Sequence, residues 1–240
     1  HDPDLADWDG LGLAVQAFQK RALPVLEYLA QHARKARRKI PLRLVKGAYW
    51  DSEIKLAQEQ GLASYPVFTR KENTDVSYLA CARFLLAHRD QFYPQFATHN
   101  AHTVSAVLAL AGDRQGFEFQ RLHGMGIPLY RAMASQYGDD INCRVYAPVG
   151  GHQDLLPYLV RRLLENGANS SFVNRIVNQE LPVEDVVRDP LRQVQQFDEI
   201  ANPAIALPPE LYADERKNSK GFNLASFAQQ FELRQALESV

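Results

Sequence analysis

The chain has 240 residues, 46% of them hydrophobic, and 27 Lys plus Arg against 28 Asp plus Glu leave a formal net charge of -1. That is enough chain for one sizeable core with an appendage, and no global field recruits nucleic acid or an anionic membrane. Cys81 and Cys143 lack the spacing of a disulfide framework or a zinc knuckle, and no apolar run approaches the roughly 20 residues of a membrane helix; a cytoplasmic protein with at most peripheral membrane contact is expected.

In chain order, Gly10 to Phe18 (GLGLAVQAF) reads as a buried strand, and Leu23 to Arg37 follows as a helix with Leu26, Leu29, Ala30 and Ala33 on one face. The basic residues Arg34, Lys35, Arg37, Arg38 and Lys39 complement the negative end of that helix's dipole, and no aromatic residues are interleaved to make a nucleic-acid surface. Ile40 to Gly47 is the next strand. Helices over Asp51 to Gln60 and Asp75 to His88 are joined through Tyr65-Pro66, then come strand Tyr93 to Thr98, helix Thr103 to Ala111, strand Phe117 to Leu122 and helix Pro128 to Gln136. Strands alternating with helices at this rhythm imply βαβ units and a parallel sheet.

The last unit opens with a short strand, Cys143 to Ala147, broken by Pro148, Gly150 and Gly151. A helix follows, with Leu155, Leu156, Leu159, Val160, Leu163 and Leu164 on one face and Pro157 tolerated in its first turns; Gly167 is placed to close it. At about 100° per residue, Asp154, Tyr158, Arg161, Arg162 and Glu165 share the opposite face, where two adjacent arginines can grip a carboxylate or simply lie in solvent. Beyond Arg175 the periodicity fades among Leu181-Pro182, Asp189-Pro190, Asn202-Pro203 and Pro208-Pro209, and only Asn223 to Ser239 again suggests a helix. Residues 1–180 therefore read as the folded domain and 181–240 as a linker.

The C-terminal ends of parallel strands build the active site of an α/β barrel. Arg43 and Lys46 fall at one such end with Tyr49 and Trp50 after it, Thr98, His99 and Asn100 at the next, Gln120 and Leu122 at a third and Tyr146 at the last. Each has a structural explanation as a salt bridge, a staple or a core hydrogen bond, but their coincidence on one rim favours a site. No Gly-x-Gly-x-x-Gly is present, which argues against a Rossmann dinucleotide site.

Three segments, RLVKGAYWDSEI (Arg43 to Ile54), ATHNAHT (Ala97 to Thr103) and YLVRRLLENGANSSFVNR (Tyr158 to Arg175), resemble the proline dehydrogenase domain of the bifunctional proline utilisation (PutA) family, in the right order and over nearly the whole chain. The resemblance implies a (βα)8-type barrel of which only about the last five strands, 4 to 8, are present, followed by a mostly irregular stretch leading towards an aldehyde dehydrogenase domain. It implies oxidation of L-proline to pyrroline-5-carboxylate, with hydride passing from C5 of proline to N5 of FAD and electrons going on to a membrane quinone.

By the same resemblance Arg161 and Arg162 hold the proline carboxylate, and Tyr49, Leu122 and Tyr146 pack its ring. Gln16 and Arg43 contact the isoalloxazine, with Arg43 near N5; Val45, Lys46, Trp50, Thr98, His99 and Asn100 line the rest of FAD, joined by Thr69, Arg70, Gln120 and Glu165. The last helix is expected across the barrel mouth, its polar face towards the ligand.

Two other readings stay open. His99, His102 and His123 near one rim suggest a metal-dependent barrel hydrolase, and a half barrel could be a non-catalytic segment that depends on its preceding half. For that half barrel, Leu11, Leu13, Val15, Leu44 and Val45 are expected to face inwards as an apolar surface.

Overall fold

In the computed structural model the described residues are 8, 10–167, 188–219, 221–224 and 226–239, with side chains left out at 139 and 163–167. Five strands form one parallel sheet: β1 (Leu13–Gln16), β2 (Ile40–Val45), β3 (Phe92–Ala97), β4 (Glu118–Leu122) and β5 (Cys143–Tyr146), paired strictly in sequence order. The helices are α1 (Ala22–Ala36), α2 (Trp50–Glu59), α3 (Lys71–Ala87), α4 (Ala101–Ala111), α5 (Ile127–Tyr137) and α6 (His152–Gly167). An in-order parallel sheet has every right-handed crossover on the same side, so its helices form a single layer as in a barrel, whereas a doubly wound fold has two.

The described residues divide into two compact units. The first comprises the chain up to Ala48 and from Glu72 to Gln196, and it holds the whole sheet. Its core lies between the sheet and the helices: Val15, Leu42, Leu44, Phe92, Phe96 and Phe119 alternate along the strands and meet Leu26 and Ala30 of α1, Tyr78, Cys81 and Leu85 of α3, and Tyr130 of α5. Phe96, Phe117 and Phe119 pack edge-on or tilted with ring centroids 5.7 to 6.1 Å apart.

The expected apolar inner face is corrected here. Val15 and Leu44 belong to the helix-packed core, Leu11 and Leu13 are exposed, and of the five only Val45 lies on the face of Arg43. The other face of the sheet carries Arg43, Gln95, Glu118, Gln120, Arg144 and Tyr146, aligned by the register Arg43 to Gln95 to Glu118 and Gln120 to Arg144. Side chains alternate between faces with period two, so a run such as IPLRLV supplies one apolar face and one polar face. Only the sheet's neighbours decide which is which.

The second unit comprises Tyr49–Lys71 and the chain from Phe197 onwards. The tail is linker-like in composition but is tied to the segment around α2. The Tyr65 hydroxyl donates to the Ala206 carbonyl at 2.7 Å, Asn218 Nδ2 donates to the Gln58 and Pro208 carbonyls at 3.0 Å, and the Gly221 amide reaches the Gly61 carbonyl at 3.1 Å. The 3-10 turn Pro208–Glu210 is too short for a periodic signal, as is the five-residue helix Pro190–Val194 of the first unit; the terminal helix is Phe227–Glu238.

Candidate active site

The polar side chains of the first unit run along one face of β2 to β5, from Glu118 at the start of β4 to the strand ends beside α6. Arg43 stands on the helix-free face of β2, two residues before Val45, whose register partner Gln16 ends β1. Its Nε donates to Gln120 Oε1 at 2.7 Å, and its guanidinium lies over the Tyr146 ring, 5.0 Å from the centroid. Gln120 is 1% exposed and its Nε2 donates to Glu118 Oε1 at 2.7 Å. Glu118, 2% exposed, also accepts from Gln95 Nε2 at 3.0 Å, from Arg144 through both oxygens at 2.8 and 2.9 Å, and from the Tyr93 hydroxyl at 3.4 Å. Burial would raise the Glu118 carboxyl's pKa, but Arg144, Gln120 and Tyr93 outweigh it and hold the group below the usual carboxylate range.

β3 delivers Thr98, His99 and Asn100. The Thr98 hydroxyl oxygen accepts the Asn100 amide at 3.2 Å, and Asn100 Oδ1 accepts the Thr103 amide at 3.0 Å, so Asn100 is the N-cap of α4. His99 Nε2 accepts the backbone N–H of Leu122 at 3.1 Å. An amide can only donate, so the ring is neutral with its proton on Nδ1. Burial first, and then the charges of Arg121 and Arg162, keep its pKa below the ordinary imidazole value. Gly126, at φ +65°, caps α5 where a Cβ would come within 2.9 Å of His99 Cδ2; the glycine there permits both the left-handed turn and the close approach.

Helix α6 sits the opposite way from an ordinary amphipathic surface helix. Leu156, Leu159 and Val160 are exposed, with Leu156 at 60%, whereas Leu155, Tyr158, Arg161 and Arg162 form the partly buried face. The Arg162 guanidinium is 5.3 Å from the Tyr158 ring centroid, and its charge acts on both His99 and Tyr146. Burial, then the neighbouring Tyr158, raise the Tyr146 phenol's pKa, against the pull of Arg43 and Arg162. The structure thus brings together Arg43, His99, Gln120, Leu122, Tyr146 and Arg162, with Arg161 on the same helix face. Side-chain contacts of Glu165, and residues 168–175 of the third sequence motif, lie outside the described residues.

Lys46 pairs with Asp75 at 2.5 Å and lies 5.9 Å from the Tyr78 ring centroid, which anchors the end of β2 to α3. Tyr49, Trp50, Thr69 and Arg70 fall in the second unit. There Trp50 Nε1 donates to the Phe68 carbonyl at 2.8 Å, the Thr69 hydroxyl oxygen accepts the Asn202 amide at 2.9 Å, and Arg70 donates to the Ala201 carbonyl at 3.2 Å while stacking 4.1 Å from the Phe197 ring centroid. Among the described residues no three His, Cys, Asp or Glu side chains converge as a metal site; His99 commits Nε2 to Leu122.

Sequence reading missed Glu118, Arg144 and Gln95 as parts of the site and left Tyr158 without a role. The signal was present in EFQRL, where Glu118 and Gln120 sit two apart in a strand otherwise fit for a core.

Residues 1–175 match the model of the family described as "Proline dehydrogenase". The chain belongs to the proline dehydrogenase family. Among the relatives, the bifunctional protein PutA of Salmonella typhimurium is 54% identical over 237 residues, covering 94% of this chain and 18% of its own length. Proline dehydrogenase 1, mitochondrial, of Arabidopsis thaliana is 32% identical over 161 residues, covering 63% of this chain and 32% of its own. A crystal structure of a Bradyrhizobium japonicum proline utilization A mutant superposes with a TM-score of 0.93 at 53% identity, covering 99% of this chain and 24% of that one. Proline utilization A from Bdellovibrio bacteriovorus, inactivated by N-propargylglycine, superposes with a TM-score of 0.83 at 29% identity, with 99% and 24% coverage. The chain thus spans about a fifth of the PutA relatives it matches, and its five parallel strands are part of the family's barrel. No helix among the described residues is long and apolar enough to cross a membrane.

Proposed function

We propose that this chain supplies the proline- and flavin-binding side of a proline dehydrogenase, oxidising L-proline to pyrroline-5-carboxylate with FAD as cofactor. The observation that carries the reading is the orientation of α6. A helix that leaves Leu156, Leu159 and Val160 exposed while Tyr158, Arg161 and Arg162 are drawn inwards is set up to bind an anion over the strand ends. Two adjacent guanidiniums match a substrate carboxylate, and Leu122 with the Tyr146 ring offers apolar walls to a saturated ring.

The donor set of the sheet also fits a flavin. Arg43 spends Nε on Gln120 and keeps its terminal nitrogens as donors beside Tyr146. His99 keeps an Nδ1–H, and Gln16, Val45, Lys46, Thr98, Asn100 and Gln120 share these strand ends. When bound, FAD supplies the electron-accepting centre that takes hydride from C5 of proline. The chain's own residues orient the substrate: Arg161 and Arg162 fix the carboxylate, and Leu122 and Tyr146 hold the ring and exclude water. In this reading the remaining barrel strands and an aldehyde dehydrogenase domain belong to the same polypeptide, a membrane quinone takes the electrons, and the protein works in the cytoplasm with peripheral membrane contact.

The test is a flavin spectrum of the native full-length protein, bleached by L-proline, together with Arg162→Met. Losing a hydrogen bond to a charged group costs about 1.5 to 3 kcal/mol, so KM for proline should rise on the order of 10- to 150-fold. A flavin-free protein, or an unchanged KM in a flavin-loaded variant, would overturn the assignment.

A further inference from the structure

Arg43 is the cation nearest the proposed flavin edge, and its placement depends on a residue that touches neither substrate nor cofactor in the reading above. Its Nε–H needs an acceptor, and Gln120 Oε1 is that acceptor at 2.7 Å. A primary amide has an oxygen end and an NH2 end that are nearly equal in shape, so something must decide which end faces Arg43. Glu118 does so. Its carboxylate can only accept, it takes the Gln120 Nε2 donor at 2.7 Å, and Gln120 is therefore turned with Oε1 towards Arg43.

Every hydrogen-bonding neighbour of Glu118 is a donor: Gln95, Gln120, Tyr93 and both nitrogens of the Arg144 fork. The Arg144 charge balances the carboxylate. Gln120, a neutral amide, separates Glu118 from Arg43, so position is transmitted while the positive charge of Arg43 is left without a direct carboxylate partner at Nε.

We infer that Glu118 is a positioning residue for Arg43, acting through the Gln120 amide. This rests on the functional reading above only where the flavin is concerned; the chain of hydrogen bonds stands without it. The two ways Glu118 could influence a flavin have opposite signs. As a mere negative charge it disfavours added electrons, and removing it raises the flavin midpoint potential. As the group that keeps Arg43 in place it favours them, and removing it lowers the potential.

The experiment uses Glu118→Leu in the native full-length protein. An alkyl side chain at this position accepts no hydrogen bond, so Gln120 Nε2 loses its acceptor and the amide is no longer held from that end. The midpoint potential is expected to fall towards that of Arg43→Met, with kcat for proline lowered more than KM is raised. In an Arg43→Met background the same substitution should produce no further fall.

Glu118→Asp keeps the charge but withdraws it by one methylene, and it should lower the potential as well; it also serves if the Leu variant does not fold. A potential that rises or stays constant in either variant overturns the inference. Independently of flavin loading, a crystal structure of either variant with Arg43 Nε still hydrogen-bonded to an unrotated Gln120 Oε1 overturns it, whereas a displaced Arg43 supports it. A native protein that binds no flavin would defeat the functional reading, and the Arg43 position in the variant crystals would still decide this one.

Discussion

Removing Arg144 should expose how much of the site's rigidity rests on one ion pair. Arg144→Met leaves a carboxylate that is 2% exposed with three neutral donors, Gln95, Gln120 and Tyr93, and no cation. Breaking a fully buried pair costs about 3 to 5 kcal/mol. The Arg144 side chain is 61% exposed, so solvent already screens the pair, and roughly 1 to 3 kcal/mol is the reasonable range. The sign with pH follows from the groups involved. In the native protein Glu118 has a depressed pKa, so its contribution is present above the usual carboxylate value and is lost as pH falls through the lower folded value. In the variant, burial acts without the cation and raises the folded pKa, so the carboxylate is a liability at neutral pH that protonation relieves. Thermal melting of native and variant protein should show the largest difference near neutrality and a shrinking one below about pH 5. An equal difference at both ends of that range, or none, would refute the view that Arg144 neutralises Glu118.

Three further outcomes are expected. Arg43→Met should lower the midpoint potential of the bound flavin, since a fixed cation favours the reduced anion; potentiometry showing no shift with flavin still bound would make Arg43 structural. Asn100→Ala removes the α4 N-cap at a cost of about 1 kcal/mol, and hydrogen exchange at the Thr103 amide should accelerate, whereas unchanged protection would show the cap to be dispensable. Tyr65→Phe strips a donor from the Ala206 carbonyl and an acceptor from Gln58 Nε2, costing about 1 to 3 kcal/mol; exchange should quicken in residues 197–219 and not in the strands, and a uniform change would contradict a separately organised second unit.

How far the sequence carried these conclusions differs from element to element. Each strand from Ile40 onwards was found within two residues of its observed start and end, because β-branched and aromatic runs bounded by breakers leave little freedom to a parallel strand. The first strand is read too long, Gly10 to Phe18 against Leu13–Gln16, since Leu11 is apolar without being buried and Ala17 and Phe18 are buried in the turn that follows. The faces of the last helix were legible in part: 3.6 residues per turn place Tyr158, Arg161 and Arg162 together whatever they contact, but Leu155, read onto the apolar face, lies with them, and Asp154, read onto theirs, is exposed.

What the sequence by itself determined is therefore local: the alternation of strands and helices, the clustering of Tyr158, Arg161 and Arg162 on α6, and, through three long motifs, the family. Which way each face points was decided only by tertiary structure, because periodicity fixes the angle between side chains and not the direction of the neighbour that buries them. That is why Leu44 went to the helices and Arg43 to the other face, and why α6 draws Arg161 and Arg162 inwards and exposes Leu156, Leu159 and Val160. The Glu118 network is largely of the same kind: Gln120 is two residues along its own strand, but Gln95 and Arg144 meet the carboxylate because adjacent strands lie in register, a relation between segments 23 to 26 residues apart that no local pattern encodes. The tail likewise reads as linker until Tyr65, Gln58 and Gly61 supply its hydrogen-bond partners.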